Sequence, residues 1–196
     1  AVRRYARDPK TMLAPPELRQ VHPLGKSPVL EDGGRVVAES ANIVEYLVDT
    51  YGAGRLRPPA GSDDFLRYRY WLHYAEGSAM PPLLLSLVFS RVRDAPAPFF
   101  VRPIAKAIAA KVMGAFVTPQ LRTHFDFIEA ELSRSTWFAG EQFSAADIQM
   151  SFPLEAAAVR FGGDRRPHLQ AFLQRIHARP AYQRALAKGG PFDLPG

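Results

Sequence analysis

The stretch His22–Tyr51 constrains the fold more than any other part of the sequence. It contains two short apolar segments, around Leu30 and Val37, separated by an Asp-Gly-Gly turn of the kind found in β-hairpins. After Glu39, apolar residues recur at helical spacing to the end of the stretch, and Ser40 is predicted to cap this helix with its hydroxyl. The stretch therefore predicts a strand, a tight turn, a second strand and a helix.

Pro28 limits how the first of these strands can pair. Proline has no N–H to donate, so Pro28 must lie at the first position of the strand or at a sheet edge. It also favours an extended conformation for Ser27, the residue before it.

The ordered set GKSPVL, an acidic-glycine turn, VVAES and an amphipathic helix resembles the glutathione-binding half of the cytosolic glutathione transferases. The residue order HPLGKSPVLED…AES is similar to that of a fungal and bacterial branch of the family. The resemblance implies a thioredoxin-like α/β domain, followed by an all-α helical-bundle domain. It also implies that the Ser27–Pro28 bond is cis and that Pro28 begins the third strand of the α/β domain.

The rest of the chain divides at a segment rich in glycine and proline. We predict a glutathione-binding α/β domain over 1–51, with Val2–Tyr5 as an edge strand, a linker over 52–61 and an all-helical domain over 62–196. A short helix is predicted over Pro15–Val21, where a proline opens the segment.

Within the helical part, prolines and a capping signal mark where helices begin and end. Pro81-Pro82 should interrupt a long helix over Ser62–Phe89, and Pro119 should bend an apolar stripe that runs from Ile104 to Leu132. Ser144 followed by Asp147 predicts a capping box at the start of a buried helix. Further helices are predicted around Leu169–Ile176 and over Pro180–Lys188.

The resemblance also implies a strand and a helix before the first residue of this sequence, roughly 25 residues by average element lengths. In the family that segment carries the Tyr, Ser or Cys that activates the glutathione thiol. The prediction therefore leaves the catalytic residue unknown, and we expect that the sequence lacks an N-terminal segment.

Composition excludes several kinds of site. The 196 residues include no cysteine, so the sequence contains no thiolate nucleophile and no cysteine-based metal site, and it contains no apolar run long enough to cross a membrane. The net charge of +6 comes without a basic run interleaved with aromatic residues, which disfavours nucleic-acid binding and favours an anionic small substrate. We expect a cytoplasmic protein that binds neither nucleic acid nor membranes.

Five residues are predicted to bind glutathione, as co-substrate, in the manner that the resemblance implies. Glu39 offers an acceptor for the γ-glutamyl ammonium, and Ser40 with the helix N-terminus suits the α-carboxylate. The backbone of Ser27 before Pro28 can pair with the cysteinyl unit, and Lys26 can neutralise a carboxylate. The alternative for each residue alone is a structural role: a solvated acid, a helix cap or a surface lysine.

The second substrate is predicted to be a small hydrophobic electrophile that lies against the helical domain. Candidate pocket residues are Tyr70, Tyr74, Met80 and Phe116, and the alternative for each is a core or interface position, since aromatic residues at helical spacing usually pack. We read His73 as structural and predict no metal.

The predicted function is a homodimeric, detoxifying glutathione transferase that joins the glutathione thiolate to the electrophile. Two alternatives stay open. A non-catalytic transferase-like module would serve protein association, and a glutathione-dependent peroxidase or thiol reductase would use the same tripeptide for reduction. The retained KSP and ES sets favour the transferase.

Overall fold

In the computed structural model of the chain, the described residues are 1–11, 13–161 and 166–190. Outside them lie Met12 and the stretches 162–165 and 191–196. The two stretches belong to the predicted helical domain. The fold class is confirmed: a small α/β part precedes a helical part.

The α/β part consists of two helices and a hairpin: α1 (Pro16–Val21), β1 (Val29–Asp32), β2 (Arg35–Ala38) and α2 (Ser40–Tyr51). β1 and β2 are antiparallel, with Val29 opposite Ala38 and Asp32 opposite Arg35. Gly33 and Gly34 both have positive φ, at 55° and 81°, as the type I′ turn of a two-residue hairpin loop requires. The predicted hairpin is confirmed.

The predicted edge strand at Val2–Tyr5 is wrong, because these residues adopt neither strand nor helix. Among the described residues β1 and β2 pair only with each other, and a strand without a neighbour is not stable. Arg4 instead donates from Nη2 to the carbonyl of Gly189, the last residue of the final helix.

The helical part begins at α3, whose first turn is capped by Ser62 Oγ accepting from the N–H of Phe65 at 3.1 Å. No helix among the described residues is long and apolar enough to cross a membrane. The segment 52–61 between α2 and α3 contains no helix or strand, and a domain boundary there stays a prediction. The helices and two π-helical turns are α3 (Asp63–Tyr74), the first π turn (Ala75–Ala79), α4 (Met80–Asp94), α5 (Arg102–Val112), the second π turn (Met113–Val117), α6 (Thr118–Leu132), α7 (Ala145–Phe161), α8 (Pro167–His177) and α9 (Pro180–Gly189).

Both predicted proline interruptions take the form of a π turn. The first π turn directly precedes α4, whose first turn contains Pro81 and Pro82, and the second precedes α6, whose first turn contains Pro119. A proline cannot donate to the carbonyl four residues back, and its ring collides with that carbonyl in a regular α-helix. The wider turn ahead of each proline therefore lets the chain continue as a helix.

The core lies in the helical part, around α7, which packs against α2, α3, α4 and α8. Its largest fully buried side chains include Tyr68, Trp71, Phe138, Phe172 and Ile128.

The predicted apolar stripe follows this core along α6 and meets it again at Val112, the last residue of α5. It reaches the surface along α5 and the second π turn, where Ile104, Ile108 and Phe116 are 53–59% exposed.

The predicted capping box at α7 is half correct. Asp147 accepts from the N–H of Ser144 and from the N–H of Phe138, each at 2.8 Å, as a reach-back acid should. The Ser144 hydroxyl, however, donates to Asp147 at 3.0 Å instead of capping a backbone N–H. Burial raises the pKa of Asp147 to about 6, and the three donors limit that rise.

Candidate functional site

A cavity of about 440 Å³ lies between the α/β part and helix α7. The loop before β1, the junction of β2 with α2, the first π turn and one face of α7 all contribute to it. Its lining residues are His22, Leu24, Lys26, Ser27, Pro28, Ala38, Glu39, Ser40, Val44, Glu76, Ile148, Gln149 and Phe152.

The structure brings the five predicted glutathione-binding residues together in this cavity. Lys26, Ser27 and Pro28 come from the loop that leads into β1, and Glu39 and Ser40 from the junction of β2 with α2. The Ser27–Pro28 peptide bond is cis, as the resemblance implies.

The backbone of Glu39 is unusual for a residue other than glycine. Its φ of 72° and ψ of 126° lie in a region that costs about 1–3 kcal/mol and that occurs most often at functional sites. Glu39 turns the chain from β2 into α2 in a single step, so Ser40 follows it as the first helical residue.

The prediction that Ser40 caps α2 is therefore wrong. Glu39 occupies the position before the helix, and no side chain caps this N-terminus. The Ser40 hydroxyl instead contacts Glu76 on the first π turn and Gln149 on α7.

Ser40, Glu76 and Gln149 form a closed hydrogen-bonded triangle, which we call the Ser40–Glu76–Gln149 triangle. Ser40 Oγ donates to Glu76 Oε1 at 2.9 Å, and Gln149 Nε2 donates both to that oxygen and to Ser40 Oγ, each at 2.9 Å. Gln149 is only 4% exposed, whereas Glu76 is exposed to the cavity from the first π turn. The triangle therefore joins the start of α2 to the first π turn and to α7.

Three apolar side chains, which we call the apolar wall, also line the cavity. Leu24 precedes Lys26 in the loop, and Ile148 and Phe152 lie one turn apart on α7. Leu24, Ile148 and Phe152 are 64%, 41% and 40% exposed. The cavity lining thus combines charged and polar groups, which we call its polar half, with apolar side chains from the loop and from α7.

The polar half suits a ligand that carries both an ammonium and a carboxylate. The N-terminus of α2 and the cation of Lys26 favour negative charge, and the carboxylates of Glu39 and Glu76 favour positive charge. Within the described part of the chain, no group of three or more His, Asp or Glu side chains is placed to hold a metal ion.

The four residues predicted for the second substrate lie away from the cavity. Tyr70 and Tyr74 belong to an aromatic cluster with Trp71 and Phe127, and the Tyr74 hydroxyl is 2.5 Å from Nδ1 of His124. Burial raises the pKa of Tyr74. Met80 is half-buried against the core, and Phe116 is 55% exposed on the second π turn. The packing of Tyr70, Tyr74 and Met80 fits the alternative of core positions.

Several lining residues escaped the sequence analysis, and two local signals pointed to some of them. His22 and Leu24 belong to the same HPLG loop as the predicted Lys26, and the Nδ1 atom of His22 is buried with no hydrogen-bond partner among the described residues. Ile148 and Gln149 directly follow the capping box that starts α7. Glu76 had no local signal, since it meets Ser40 across 36 positions of sequence.

Comparison with known proteins decides the family. Residues 1–50 match the family model of the glutathione S-transferase N-terminal domain, and residues 104–180 match that of the C-terminal domain. The chain is 33% identical to glutathione S-transferase 1 of Saccharomyces cerevisiae, over 96% of this chain and 86% of that protein. The chain belongs to the glutathione S-transferase family. The predicted family and its transferase activity are thereby confirmed.

Other family members agree in sequence and in fold. Glutathione S-transferase 3 of Schizosaccharomyces pombe is 33% identical over 89% of this chain and 72% of its own length. A glutathione S-transferase from Actinobacillus pleuropneumoniae is 30% identical with a TM-score of 0.70, over 94% of this chain and 78% of that one. A sphingomonad glutathione S-transferase complexed with glutathione is 28% identical with a TM-score of 0.69, over 94% and 86% of the two chains.

Proposed function

We propose that this glutathione transferase binds glutathione in the cavity beside α2 and joins its thiolate to a small apolar electrophile. One observation carries the proposal. Lys26, Ser27, Pro28, Glu39 and Ser40, which the sequence analysis selected, line a single cavity that also has an apolar wall. A tripeptide and an apolar partner can thus lie side by side in one space.

Each part of glutathione meets a group of suitable chemistry. Ser40 and the N-terminus of α2 would hold the γ-glutamyl carboxylate, and Glu39 would accept from the ammonium. The backbone of Ser27, extended before Pro28, would pair with the cysteinyl unit as a neighbouring strand does. Lys26 would neutralise a carboxylate of the tripeptide. These roles concern binding, and we assign no lining residue to thiol activation.

The electrophile is proposed to lie against Leu24, Ile148 and Phe152, in place of the four residues selected from the sequence. These three side chains form the apolar wall of the same cavity. A thiol with a pKa near about 8.5 is mostly protonated at neutral pH, and its thiolate is the nucleophile. An electrophile held on this wall would lie beside the sulfur.

A homodimer is proposed on the basis of exposed apolar surface on α4, α5 and their connection. Leu84, Val88, Phe99, Ile104 and Ile108 are 44–83% exposed. Large exposed apolar patches usually mark association surfaces. Sedimentation of the full chain at micromolar concentration would give a monomer if this proposal is wrong. A cytoplasmic location and a detoxifying role accompany the proposal as predictions.

The proposal is tested by calorimetric titration with glutathione up to millimolar concentration, beside an assay of conjugation to an apolar chloronitroarene. Glu39→Ala should lose about one to two decades of affinity, as expected for a charge-assisted hydrogen bond of roughly 1.5–3 kcal/mol. Its thermal unfolding should shift far less. The matched control Glu31→Ala, on the exposed face of β1, should bind as wild type does.

Three results would favour other functions or another site. Absence of glutathione binding would favour the protein-association module. Glutathione-dependent reduction of peroxides without conjugation would favour the reductase. Unchanged binding by Glu39→Ala would show that the site assignment is wrong even if the activity is right.

A further inference from the structure

A second cavity is lined by the segment 54–59, by the loop 139–144 that leads into α7, and by Asp64 and Arg179. We call it the linker cavity. Its volume is about 850 Å³, larger than that of the cavity beside α2, and no described residue lines both. The proposed glutathione site therefore leaves the linker cavity without a role.

Two arginines of the linker cavity have no carboxylate partner. Neither Arg55 nor Arg179 forms an ion pair within the described part of the chain, whereas Arg57, the third arginine of the lining, is paired with a carboxylate of α2. Two carboxylates, those of Asp64 and Glu141, line the same cavity, and neither is paired with these arginines. The positive charge at both points is therefore available to an anion.

The guanidinium of Arg179 is held by an aromatic ring. Its Cζ atom lies 3.4 Å from the centroid of the Phe143 ring, a separation that fits two planar groups stacked face to face. Phe143 in turn packs edge-on against Trp137, with 5.0 Å between the ring centroids. A guanidinium stacked in this way keeps its N–H groups at its edge, where they can form a bidentate contact with an oxyanion.

The backbone beside Arg55 is also fixed. Leu56 has a φ of 65°, which leucine rarely adopts. Its carbonyl accepts from the N–H of Ala145, the first residue of α7, at 2.8 Å, and its side chain packs against the core. Arg55 Nε donates to the carbonyl of Gly52 at 3.1 Å, a bond that restricts the side chain without using its two terminal nitrogens. Both arginines are thus partly oriented in advance, which lowers the entropic cost of binding a ligand.

We infer that the linker cavity binds a small molecule that carries a phosphate or diphosphate group, through Arg55 and Arg179. A phosphate presents three charged oxygens, so it can meet donors from two separate segments, whereas a carboxylate has two oxygens and suits a single arginine. The rest of the ligand would lie against apolar groups of the same lining, such as Leu56 and Pro58. The volume is within the usual range of small-molecule sites, roughly 300–1,000 Å³.

The test is calorimetric titration of the full chain with pyrophosphate, both alone and with saturating glutathione. Succinate, a dicarboxylate, is titrated for comparison. The variants are Arg55→Gln and Arg179→Gln, and the matched control is Arg122→Gln, which changes an exposed arginine of α6 outside this cavity. Thermal unfolding of each variant shows whether it is folded.

Wild type should bind one pyrophosphate per chain, with or without glutathione, and should bind succinate more weakly. Arg55→Gln and Arg179→Gln should each lose about tenfold in affinity for pyrophosphate, as expected when a charge-assisted hydrogen bond is removed. Arg55→Lys keeps the charge without the planar fork, so its affinity should lie between those of wild type and Arg55→Gln. Arg122→Gln should bind as wild type does, and all variants should keep their affinity for glutathione.

Four results would overturn the inference. The first is no binding of pyrophosphate up to millimolar concentration. The second is displacement of pyrophosphate by glutathione, which would place the anion in the cavity beside α2. The third is equal weakening by Arg122→Gln, which would show attraction by the overall positive charge. The fourth is equally tight binding of succinate, which would show that the site does not select phosphate.

The test remains decisive if Arg179→Gln does not fold. Arg55 is exposed, so Arg55→Gln should fold, and full affinity for pyrophosphate in that variant would overturn the inference. Glutathione binding and conjugation are separate measurements, so failure of the linker cavity to bind phosphate would leave the proposed function standing.

Discussion

The two parts of this protein differ in how their side chains are held. Among the described residues of 1–51, the buried apolar side chains are Leu18 and Val48, whereas the helical part buries a continuous set centred on α7. Yet the α/β part supplies nine of the thirteen residues that line the cavity. The site is therefore built mainly by the part with the smaller core, and the helices hold it through contacts such as the Ser40–Glu76–Gln149 triangle.

Two aspartates, one in each part, have pKa values that the fold shifts in opposite directions. Asp32, half-buried at the hairpin, accepts from the hydroxyls of Tyr51 and Tyr46, and these hydrogen bonds lower its pKa. Asp147, buried at the start of α7, has a pKa raised by burial. Asp32 thus adds stability that is lost as pH falls through its lowered pKa. The contribution of Asp147 to stability is present at low pH and is lost as pH rises through its raised pKa.

The largest effect should come from a core side chain. Phe172 is 0% exposed and packs edge-on against Phe138 and Trp137. Phe172→Ala should lower the free energy of unfolding by about 3–5 kcal/mol, from lost burial and the cavity left behind. Val36→Ala, at a 49% exposed position of β2, should change it by less than about 0.5 kcal/mol. Urea unfolding of both variants measures the contrast, and similar losses would contradict it.

An intermediate effect should come from Asp147. Its pKa is about 6 in the fold against an ordinary value of 3.8, so the native state binds this proton more tightly. Between those values, stability should fall with rising pH, by up to about 3 kcal/mol from this group. Urea unfolding of wild type and Asp147→Asn across that window gives the difference in slope. Identical slopes would exclude titration of Asp147 as a source of the pH dependence.

The smallest effect should be local and should appear where the two parts meet. Gln149→Leu removes the hydrogen bonds from α7 to Ser40 and to Glu76, and it keeps a similar side-chain volume. Hydrogen exchange should show the amides at the N-terminal end of α2 opening more easily, by about 1 kcal/mol, with the amides of α8 unchanged. Equal changes in α2 and α8 would mean that the two parts open together and would remove the distinction between them.

Much of the fold was predictable because its signals are local. Gly33-Gly34 determines the hairpin loop, and Pro81 and Pro119 mark where the long helices change geometry. Val2–Tyr5 was mispredicted because a strand depends on a neighbouring strand, and that property is not contained in its own residues. The form of the interruptions, a π turn ahead of each proline, also lay beyond the sequence pattern.

The site divides in the same way. Lys26, Ser27, Pro28, Glu39 and Ser40, which line the cavity, could be selected from the sequence because each belongs to an ordered motif within a short stretch.

What could not be predicted depends on contacts between distant positions. The role of Ser40 was mispredicted because the partner of its hydroxyl, Gln149, lies 109 positions away. Helical spacing alone could not show that Tyr70 and Tyr74 lie outside the cavity lining, to which α3 contributes no residue.

The first π turn has a consequence for how related chains can differ in length. Such a turn accommodates one extra residue in an α-helix, so the segments on either side keep their rotational phase. A relative that lacks one residue within Ala75–Ala79 would have an uninterrupted helix here, with the counterparts of Trp71 and Leu83 still facing the core. Sequence alignments of the family should therefore tolerate a single gap at this point.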